Sequence, residues 1–265
     1  MPHLADQTYL LNEQYRDASN LNARIELHAR FSTTTHNWHR WIFNHFDLSP
    51  NQHILEIGCG PGHLWQQNLD RLPAGWEITL IDLSPGMLDE ARQTLKDHLS
   101  LFTFKQADAQ VLPFDNATFD MVIANHMLYH VPDRNKAYAE IRRVLKPGGY
   151  FFAATNGEQH MAELRQIITP INPTAYEKSE PDVHFLLETG GAELAAYFSD
   201  VSCHLFDDAL LVTELEPLVA YVRSGMRLTE AELEQFQSLA EEKMKAQGAI
   251  HITKSTGLFE AHSTP

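Results

Sequence analysis

A short apolar run that ends in three closely spaced glycines constrains this chain most. Residues 53–62 read H-I-L-E-I-G-C-G-P-G, and Ile54, Leu55 and Ile57 keep the run apolar apart from Glu56. An apolar run bounded by glycine predicts a buried strand that ends in a tight turn. Glycine lets the backbone adopt positive φ and approach a ligand without an intervening Cβ. Because helical spacing of apolar residues follows, the segment predicts a strand–turn–helix unit that cradles a ligand.

The next hundred residues alternate between strand and helix patterns. Further strands are predicted at 76–81, 101–105, 118–124 and 150–155, with amphipathic helices between them. This alternation predicts an α/β fold in which a parallel sheet carries helices on both faces. Ligands bind such sheets beyond the carboxyl ends of the strands. The candidate residues at those ends are Gly58, Asp82, Asp108 and Asn125.

The sequence E-I-G-C-G-P-G resembles the first motif of class I S-adenosylmethionine-dependent methyltransferases, in which G-x-G-x-G follows an acidic residue. The alternative is the dinucleotide fingerprint G-x-G-x-x-G, which requires glycine where this chain has His63. The resemblance covers residues 53 to about 155. Within the family, this segment is similar to the small-molecule branch that includes ubiquinone and menaquinone methyltransferases. It implies a Rossmann-like, doubly wound, mostly parallel seven-stranded sheet with helices on both faces. It also implies S-adenosyl-L-methionine as the cofactor.

The resemblance assigns a role to each strand end. The Asp82 carboxylate would accept hydrogen bonds from both ribose hydroxyls. Asp108 would bind the exocyclic amine of adenine, and the Ala109 backbone N–H would donate to a ring nitrogen. The Asn125 backbone carbonyl would receive the methionine amine, and Glu56 would orient the glycine turn or reach that amine through water. The predicted cofactor-binding residues are Glu56, Gly58, Cys59, Gly60, Gly62, Asp82, Leu83, Met87, Asp108, Ala109 and Asn125.

Charge and missing motifs restrict the methyl acceptor. The formal net charge is −15, which disfavours nucleic acid or an anionic membrane as the main partner. No N/D-P-P-Y/F motif of amino-methylating enzymes follows the fourth strand, and no Pro-Cys nucleophile of the cytosine type is present. We therefore expect a small-molecule acceptor. His126, Tyr129 and His130 are candidate groups for removing its proton, with ordinary loop residues as the equally weighted alternative.

The remaining segments are predicted to cover the site. Residues 1–46 are predicted to form a helical arm or lid, and 47–265 the methyltransferase domain with a cap insertion at about 156–200. Tyr9 and Tyr15 in the arm, and Tyr176 and His184 in the insertion, are the aromatic candidates for the lid. Later helices are predicted at 158–169, 192–198, 217–223 and 230–247, and closing strands at 249–253 and 258–262.

Composition adds further expectations. The chain has two cysteines, Cys59 and Cys203, which are too few for a thiolate metal site, so no metal is predicted. No segment approaches 18 uninterrupted apolar residues, and the first residues lack the pattern of a signal peptide. We therefore expect a cytoplasmic protein without a membrane span, and its oligomeric state is not predicted.

Two functions remain open from the sequence. The first is in-line transfer of the cofactor's methyl group to a small molecule. The second is use of S-adenosylmethionine without methyl transfer, through intramolecular cyclisation of its aminobutyrate arm or through sensing. Both require the same cofactor cradle, so the sequence does not separate them.

Overall fold

The computed structural model describes residues 6–10, 19–176, 185–226 and 228–263. The strands in these ranges are β1 His53–Ile57, β2 Glu77–Asp82, β3 Phe102–Gln106, β4 Phe119–Asn125, β5 Leu145–Asn156, β6 Ser199–Leu205, β7 Ala209–Val212, β8 Ile250–Thr253 and β9 Thr256–His262. The α-helices are α1 Gln7–Tyr9, α2 Ser19–Phe31, α3 Trp38–Phe43, α4 His63–Gln66, α5 Pro85–Thr94, α6 Arg134–Val144, α7 Ala162–Ile168, α8 Leu187–Ala195, α9 Leu215–Gly225 and α10 Glu230–Gln247. Short 3-10 helices lie at Leu69–Arg71, Lys96–Leu101, Leu128–His130 and Pro173–Tyr176.

Within the described residues, seven strands form one sheet in the order β3-β2-β1-β4-β5-β9-β6. The first five pair in parallel, and β9 runs antiparallel to both of its neighbours. The central strands are apolar and buried on both faces, as a sheet covered by helices requires. Parallel register brings the carboxyl ends of β1, β2, β3 and β4 to one edge. This arrangement confirms the predicted Rossmann-like, mostly parallel seven-stranded fold.

Helices pack on both faces of the sheet through two apolar clusters. One cluster includes side chains of α6 and α8, and the other includes side chains of α3, α4 and α5. The Ser84 side chain caps α5 by accepting from the Met87 backbone N–H, and Pro85 is the first residue of the helix. The Asp133 side chain caps α6 in the same way, by accepting from Lys136 N.

A third apolar cluster contains no residue of the seven-stranded sheet. It joins side chains of α2, α7, β7, α9, α10 and β8, which we call the cap. Leu27, Leu164, Leu218 and Ile252 are among its fully buried members. The cap therefore has an apolar core of its own, assembled from three separate stretches of the chain.

The second half of the chain departs from prediction in two elements. Residues 249–253 were expected to close the main sheet, but β8 pairs with β7 in a separate two-stranded sheet. Its apolar residues Ile250 and Ile252 complete the core of the cap instead. Helix α8 begins at Leu187 rather than 192, because the buried Leu194 and Gly190 face the sheet over its whole length.

The predicted division into an arm at 1–46 and a domain at 47–265 with a cap insertion near 156–200 remains a prediction. In the structure, α2 and α7 belong to the cap, whereas α8 packs against β6 and β9 of the main sheet. The longer stretch between β6 and β9, which holds β7, α9, α10 and β8, supplies most of the cap.

Candidate active site

A cavity of about 1690 Å³ lies between the carboxyl edge of the sheet and the cap. Every predicted site residue except Gly62 lines it. The strand ends supply one end of the cavity, and α2, α7, α9 and the segments beside β7 and β8 supply the other. The fold thus brings together residues that the sequence places far apart.

The glycine turn forms the floor of the cavity at the end of β1. Gly58 and Gly60 both have positive φ, at +63° and +53°. A Cβ on Gly58 would lie 2.8 Å from the Met127 Cβ, so the turn packs too closely there for any side chain. A Cβ on Gly60 would have only Leu21 Cδ2 nearby, at 3.9 Å. The backbone at Gly60 therefore faces open space in the cavity, where a ligand could approach it.

Gly62 has a different environment from the other two glycines. It is the N-terminal cap of α4 with φ +78°, and a Cβ there would meet Leu95 Cδ1 at 3.1 Å. The predicted contact of Gly62 with the cofactor is not supported by this placement. Close packing of α4 against α5 accounts for glycine at this position instead.

Asp82 connects the end of β2 to the glycine turn. Its Oδ2 accepts from Gly60 N at 3.0 Å, and its Oδ1 accepts from Ser84 N at 2.8 Å. Burial raises the pKa of this carboxyl above its ordinary value, although the backbone N–H groups of Ser84, Gly60 and Leu83 oppose the shift. Each oxygen keeps a further lone pair, so the carboxylate can still accept from a pair of ligand hydroxyls.

Glu56 is buried on the same strand as the turn and contacts an unexpected partner. Only 2% of the residue is exposed, and Oε2 accepts from the Trp65 indole Nε1 at 2.6 Å. Burial and, to a smaller extent, the charge of Asp82 raise the pKa of Glu56 to about 8, although the hydrogen bond from Trp65 opposes the shift. The residue was expected to orient the turn or to act through water. That role stays a prediction. In the structure Glu56 connects β1 to α4 through Trp65, and its carboxyl has no cationic partner among the described residues.

Asp108 is held at the end of β3 by two glutamines. Its carboxylate accepts from Gln110 N at 2.9 Å, from the Gln110 side chain, and from Gln7 Nε2 at 3.1 Å. The neighbouring Ala109 is 5% exposed and also lines the cavity. Because Gln7 belongs to α1, this contact ties the N-terminal arm to the predicted adenine site.

The remaining predicted cofactor residues lie on the same wall. Leu83 and Met87 line it beside the start of α5. Cys59 is a free buried thiol, and burial raises its pKa well above the ordinary value, so it remains protonated and is not a nucleophile. Asn125 ends β4, and its buried Oδ1 has no hydrogen-bond partner among the described residues.

His126 follows β4 in a strained conformation that turns its ring toward the cap. Its φ is +55°, which is uncommon for a residue other than glycine. Its ring centroid lies 5.3 Å from that of Trp38. Burial lowers the pKa of His126 to about 3, and the charges of His160, His39 and Lys254 lower it as well. The imidazole is therefore neutral near pH 7, and it is a hydrogen-bonding group but a weak base.

Tyr129 and His130 lie on the short 3-10 helix after β4. Their rings meet edge to face with centroids 4.5 Å apart, and both residues line the cavity. Their catalytic role stays a prediction, as does that of His126. Tyr15 and His184, two of the lid candidates, lie outside the described residues, as do the side chains of Tyr9 and Tyr176.

Sequence reasoning missed the polar residues that the cap contributes. Arg24, His28, His160 and Lys254 all line the cavity, as does Asp208, which pairs with Lys254. The rings of His28 and His160 stack with centroids 6.0 Å apart. Arg24 and His28 lie on α2, whereas His160, Asp208 and Lys254 come from three other stretches of the chain, so no single local motif marks the set.

Comparison with known proteins identifies the unit around the glycine turn. Residues 55–153 match the family model described as a methyltransferase domain. Over residues 55–153 this chain therefore resembles a methyltransferase domain. The predicted family is confirmed, and with it the prediction that S-adenosylmethionine is the cofactor of this domain. The matched residues span β1 to β5 and include every predicted cofactor-binding residue.

Relatives of this methyltransferase domain act on different compounds. The chain is 33% identical over 132 residues to a ubiquinone/menaquinone biosynthesis C-methyltransferase of Idiomarina loihiensis, covering 49% of this chain and 53% of that protein. It is 37% identical over 117 residues to a malonyl-[acyl-carrier protein] O-methyltransferase of Enterobacter lignolyticus, covering 43% and 42%. The chain thus spans about half the length of these curated relatives.

A solved structure extends the likeness in fold. The phosphoethanolamine N-methyltransferase 2 of Haemonchus contortus, in complex with S-adenosyl-L-methionine, superposes with a TM-score of 0.61 at 19% identity, covering 98% of this chain and 60% of that chain. At this identity the likeness concerns the fold alone. In the part of the chain that the structure describes, no helix is long and apolar enough to cross a bilayer.

Proposed function

We propose that this protein transfers the methyl group of S-adenosylmethionine to a small-molecule acceptor held in the cavity between sheet and cap. The observation that carries the proposal is that thirteen of the fourteen residues predicted from the sequence line this one cavity. Cofactor-side and acceptor-side residues therefore share one cavity, as transfer between two bound molecules requires.

The strand ends fit the cofactor. Gly60 leaves room beside the backbone for the aminobutyrate arm, and the Asp82 carboxylate is positioned to accept from the ribose. Asp108 and the Ala109 backbone provide an acceptor and a donor for adenine. The unpaired Oδ1 of Asn125 and the buried carboxyl of Glu56 are suited to the cationic amine. When bound, the cofactor supplies a methyl group that its sulfonium has already activated.

The protein's contribution to the reaction is alignment and exclusion of water. Positioning of two reactants can contribute roughly 7–11 kcal/mol to lowering a barrier. The cap covers the sheet edge, and Gln7 holds the arm against Asp108 at the cofactor end. These contacts close the cavity over both molecules.

His126 faces the acceptor end as a neutral ring. Because burial lowers the pKa of His126 to about 3, we assign it the role of orienting the acceptor through a hydrogen bond. Such a ring can accept a hydrogen bond from an acceptor hydroxyl or amine, while a full positive charge on it is disfavoured. Tyr129 and His130 flank this position.

Product analysis tests the proposal. The protein is incubated with S-adenosylmethionine and a metabolite extract, and the adenosyl products are separated by chromatography. We expect S-adenosylhomocysteine to form only when extract is present. Release of methylthioadenosine without extract would instead indicate cyclisation of the aminobutyrate arm, and binding without turnover would indicate a sensor.

A further inference from the structure

The two ends of the cavity differ in their ionisable residues. Glu56, Asp82 and Asp108 lie at the cofactor end. At the cap end, the described lining residues include three cations: Arg24, Arg165 and Lys254. The acidic residues there are Asp208, which is engaged by the protein, and Glu158, which is solvent-exposed. Three cationic side chains therefore line the cap end of this cavity, although the chain as a whole has a net charge of −15.

Asp208 does not neutralise this end completely, because its oxygens are already occupied. They accept from Ser32 Oγ at 2.5 Å, from the backbone N–H groups of Thr33 and Thr34 at 3.1 and 3.2 Å, and from Lys254. The Asp208 side chain is fully buried, and Lys254 is 10% exposed. The Lys254 ammonium donates one N–H to Asp208 and makes no other hydrogen bond to the described residues. Its two other N–H groups can therefore donate to a ligand.

Arg24 is held in place by Ser224 and has no carboxylate partner among the described residues. Its Nε donates to Ser224 Oγ at 3.2 Å and its Nη2 to the Ser224 carbonyl at 2.8 Å. These bonds fix the plane of the guanidinium at the end of α9. The Nη1 hydrogens make no bond to any described residue. A fixed guanidinium with free donors is a site for a planar or tetrahedral anion.

Two imidazoles beside these cations have unused hydrogen-bonding capacity. His28 and His160 make no side-chain hydrogen bond within the described chain, and the buried Nδ1 of each is unpaired. Burial, with a smaller effect from the charge of Lys254, lowers the pKa of both to about 3. The rings are therefore neutral, and an anion close to them would favour their protonated form.

We propose that the cap end of the cavity binds an anionic group of the methyl acceptor, a carboxylate or a phosphate, through Arg24, Lys254 and the His28–His160 pair. The acceptor's reacting atom then points toward His126 at the sheet edge. This proposal rests on the proposed function, since it names the class of molecule that the same cavity receives. In the described residues no group of three or more His, Cys, Asp or Glu could hold a metal ion instead.

Nuclear magnetic resonance of the histidine rings tests the site without cofactor or turnover. The Cε1–H signals of His28 and His160 are assigned with the His28→Asn and His160→Asn variants. The protein is then titrated at constant ionic strength with acetate, with inorganic phosphate, and with acetamide as the neutral match of acetate. We expect acetate or phosphate at tens of millimolar to shift both signals saturably, and acetamide to leave them unchanged.

Matched variants on one helix locate the anion. Arg24→Gln removes the cavity guanidinium, whereas Arg30→Gln removes an exposed one that pairs with Glu26 and Glu214 on the outer face of α2. We expect Arg24→Gln to weaken anion binding about tenfold and Arg30→Gln to leave it unchanged. His160→Asn, which removes a ring without protein hydrogen bonds, should also weaken it, and serves as the test if Arg24→Gln does not fold.

The result separates this proposal from the proposed function. Three results would each overturn the proposal that the acceptor is anionic. They are histidine signals that do not move, equal effects of acetate and acetamide, and equal anion affinities in the Arg24→Gln and Arg30→Gln proteins. Binding of S-adenosylmethionine, measured separately by calorimetry, reports on the function alone. Normal cofactor binding without anion binding would therefore reject only the class of acceptor.

Discussion

Asp82 contacts both the glycine turn and the cavity, so its removal should affect the cofactor more than the fold. Asp82→Ala removes a carboxylate that would accept from the ribose, and hydrogen bonds to charged groups contribute about 1.5–3 kcal/mol each. We expect a loss in S-adenosylmethionine affinity of tenfold or more, measured by calorimetry. Asp89→Ala is the control, because Asp89 is exposed on α5 and pairs with Arg92. Unchanged affinity in Asp82→Ala would remove the ribose site from this strand end.

Glu56 should make cofactor binding depend on pH. Its pKa is raised to about 8, so the carboxyl is mostly protonated at neutral pH. A cation bound nearby favours the carboxylate, so S-adenosylmethionine should expel a proton on binding and should bind more tightly as pH rises toward 8. Calorimetry at pH 7 in two buffers of different ionisation enthalpy measures the released proton. Glu56→Gln should bind without release, and equal heats in both buffers for the unaltered protein would contradict the prediction.

Glu56 should also make stability depend on pH, but in the opposite direction to cofactor affinity. In the absence of ligand the folded pKa of Glu56 lies above the unfolded value of 4.5. The folded protein therefore holds more protons between these two values, and the contribution of Glu56 to the free energy of unfolding falls as pH rises from about 4.5 to about 8. Below the unfolded pKa, this contribution is fully present.

At the scale of elements, the glycine turn offers a comparison within one chain. Gly60 and Gly148 both have positive φ, at +53° and +75°, and a Cβ at either has room in the protein. Alanine at each should lower the free energy of unfolding by a similar amount, about 1–2 kcal/mol. Only Gly60→Ala should also abolish cofactor binding, because its Cβ points into the space beside the turn. Normal binding in Gly60→Ala would make the turn merely structural.

Elements with local signals were predicted well from the sequence, and those that depend on distant partners were not. The alternation from β1 to β5 and helix α10 follow from the spacing of apolar residues nearby in the chain. Strand β8 was assigned to the wrong sheet, because its pairing with β7 is decided by apolar partners about forty residues away. A strand pattern indicates that a segment pairs but not with which strand.

The candidate site divides in the same way. Its cofactor end lies on consecutive strand ends, so one motif and its spacing predict most of it. Its cap end depends on contacts such as that between Arg24 and Ser224, which are 200 residues apart. The spacing of residues in the sequence does not predict a contact between positions so far apart.

At the scale of the whole molecule, the N-terminal arm should act as a lid. Helix α2 begins at Ser19, so deleting residues 1–18 leaves Leu27 and Phe31 in the core of the cap. We expect the truncated protein to unfold at a similar temperature but to turn over much more slowly, because the contact between Gln7 and Asp108 is lost. Rates of S-adenosylhomocysteine formation and thermal unfolding curves check both parts. Full activity after truncation would show that the arm does not close the site.

The separate core of the cap has a consequence for how such proteins diverge. Because none of its apolar residues belongs to the seven-stranded sheet, substitutions there reshape one end of the cavity without altering strand spacing at the other. Selection for a new acceptor can then act on the cap while the cofactor cradle is preserved. Within one chain, recognition of the acceptor can therefore change through the cap while cofactor binding at the sheet edge stays the same.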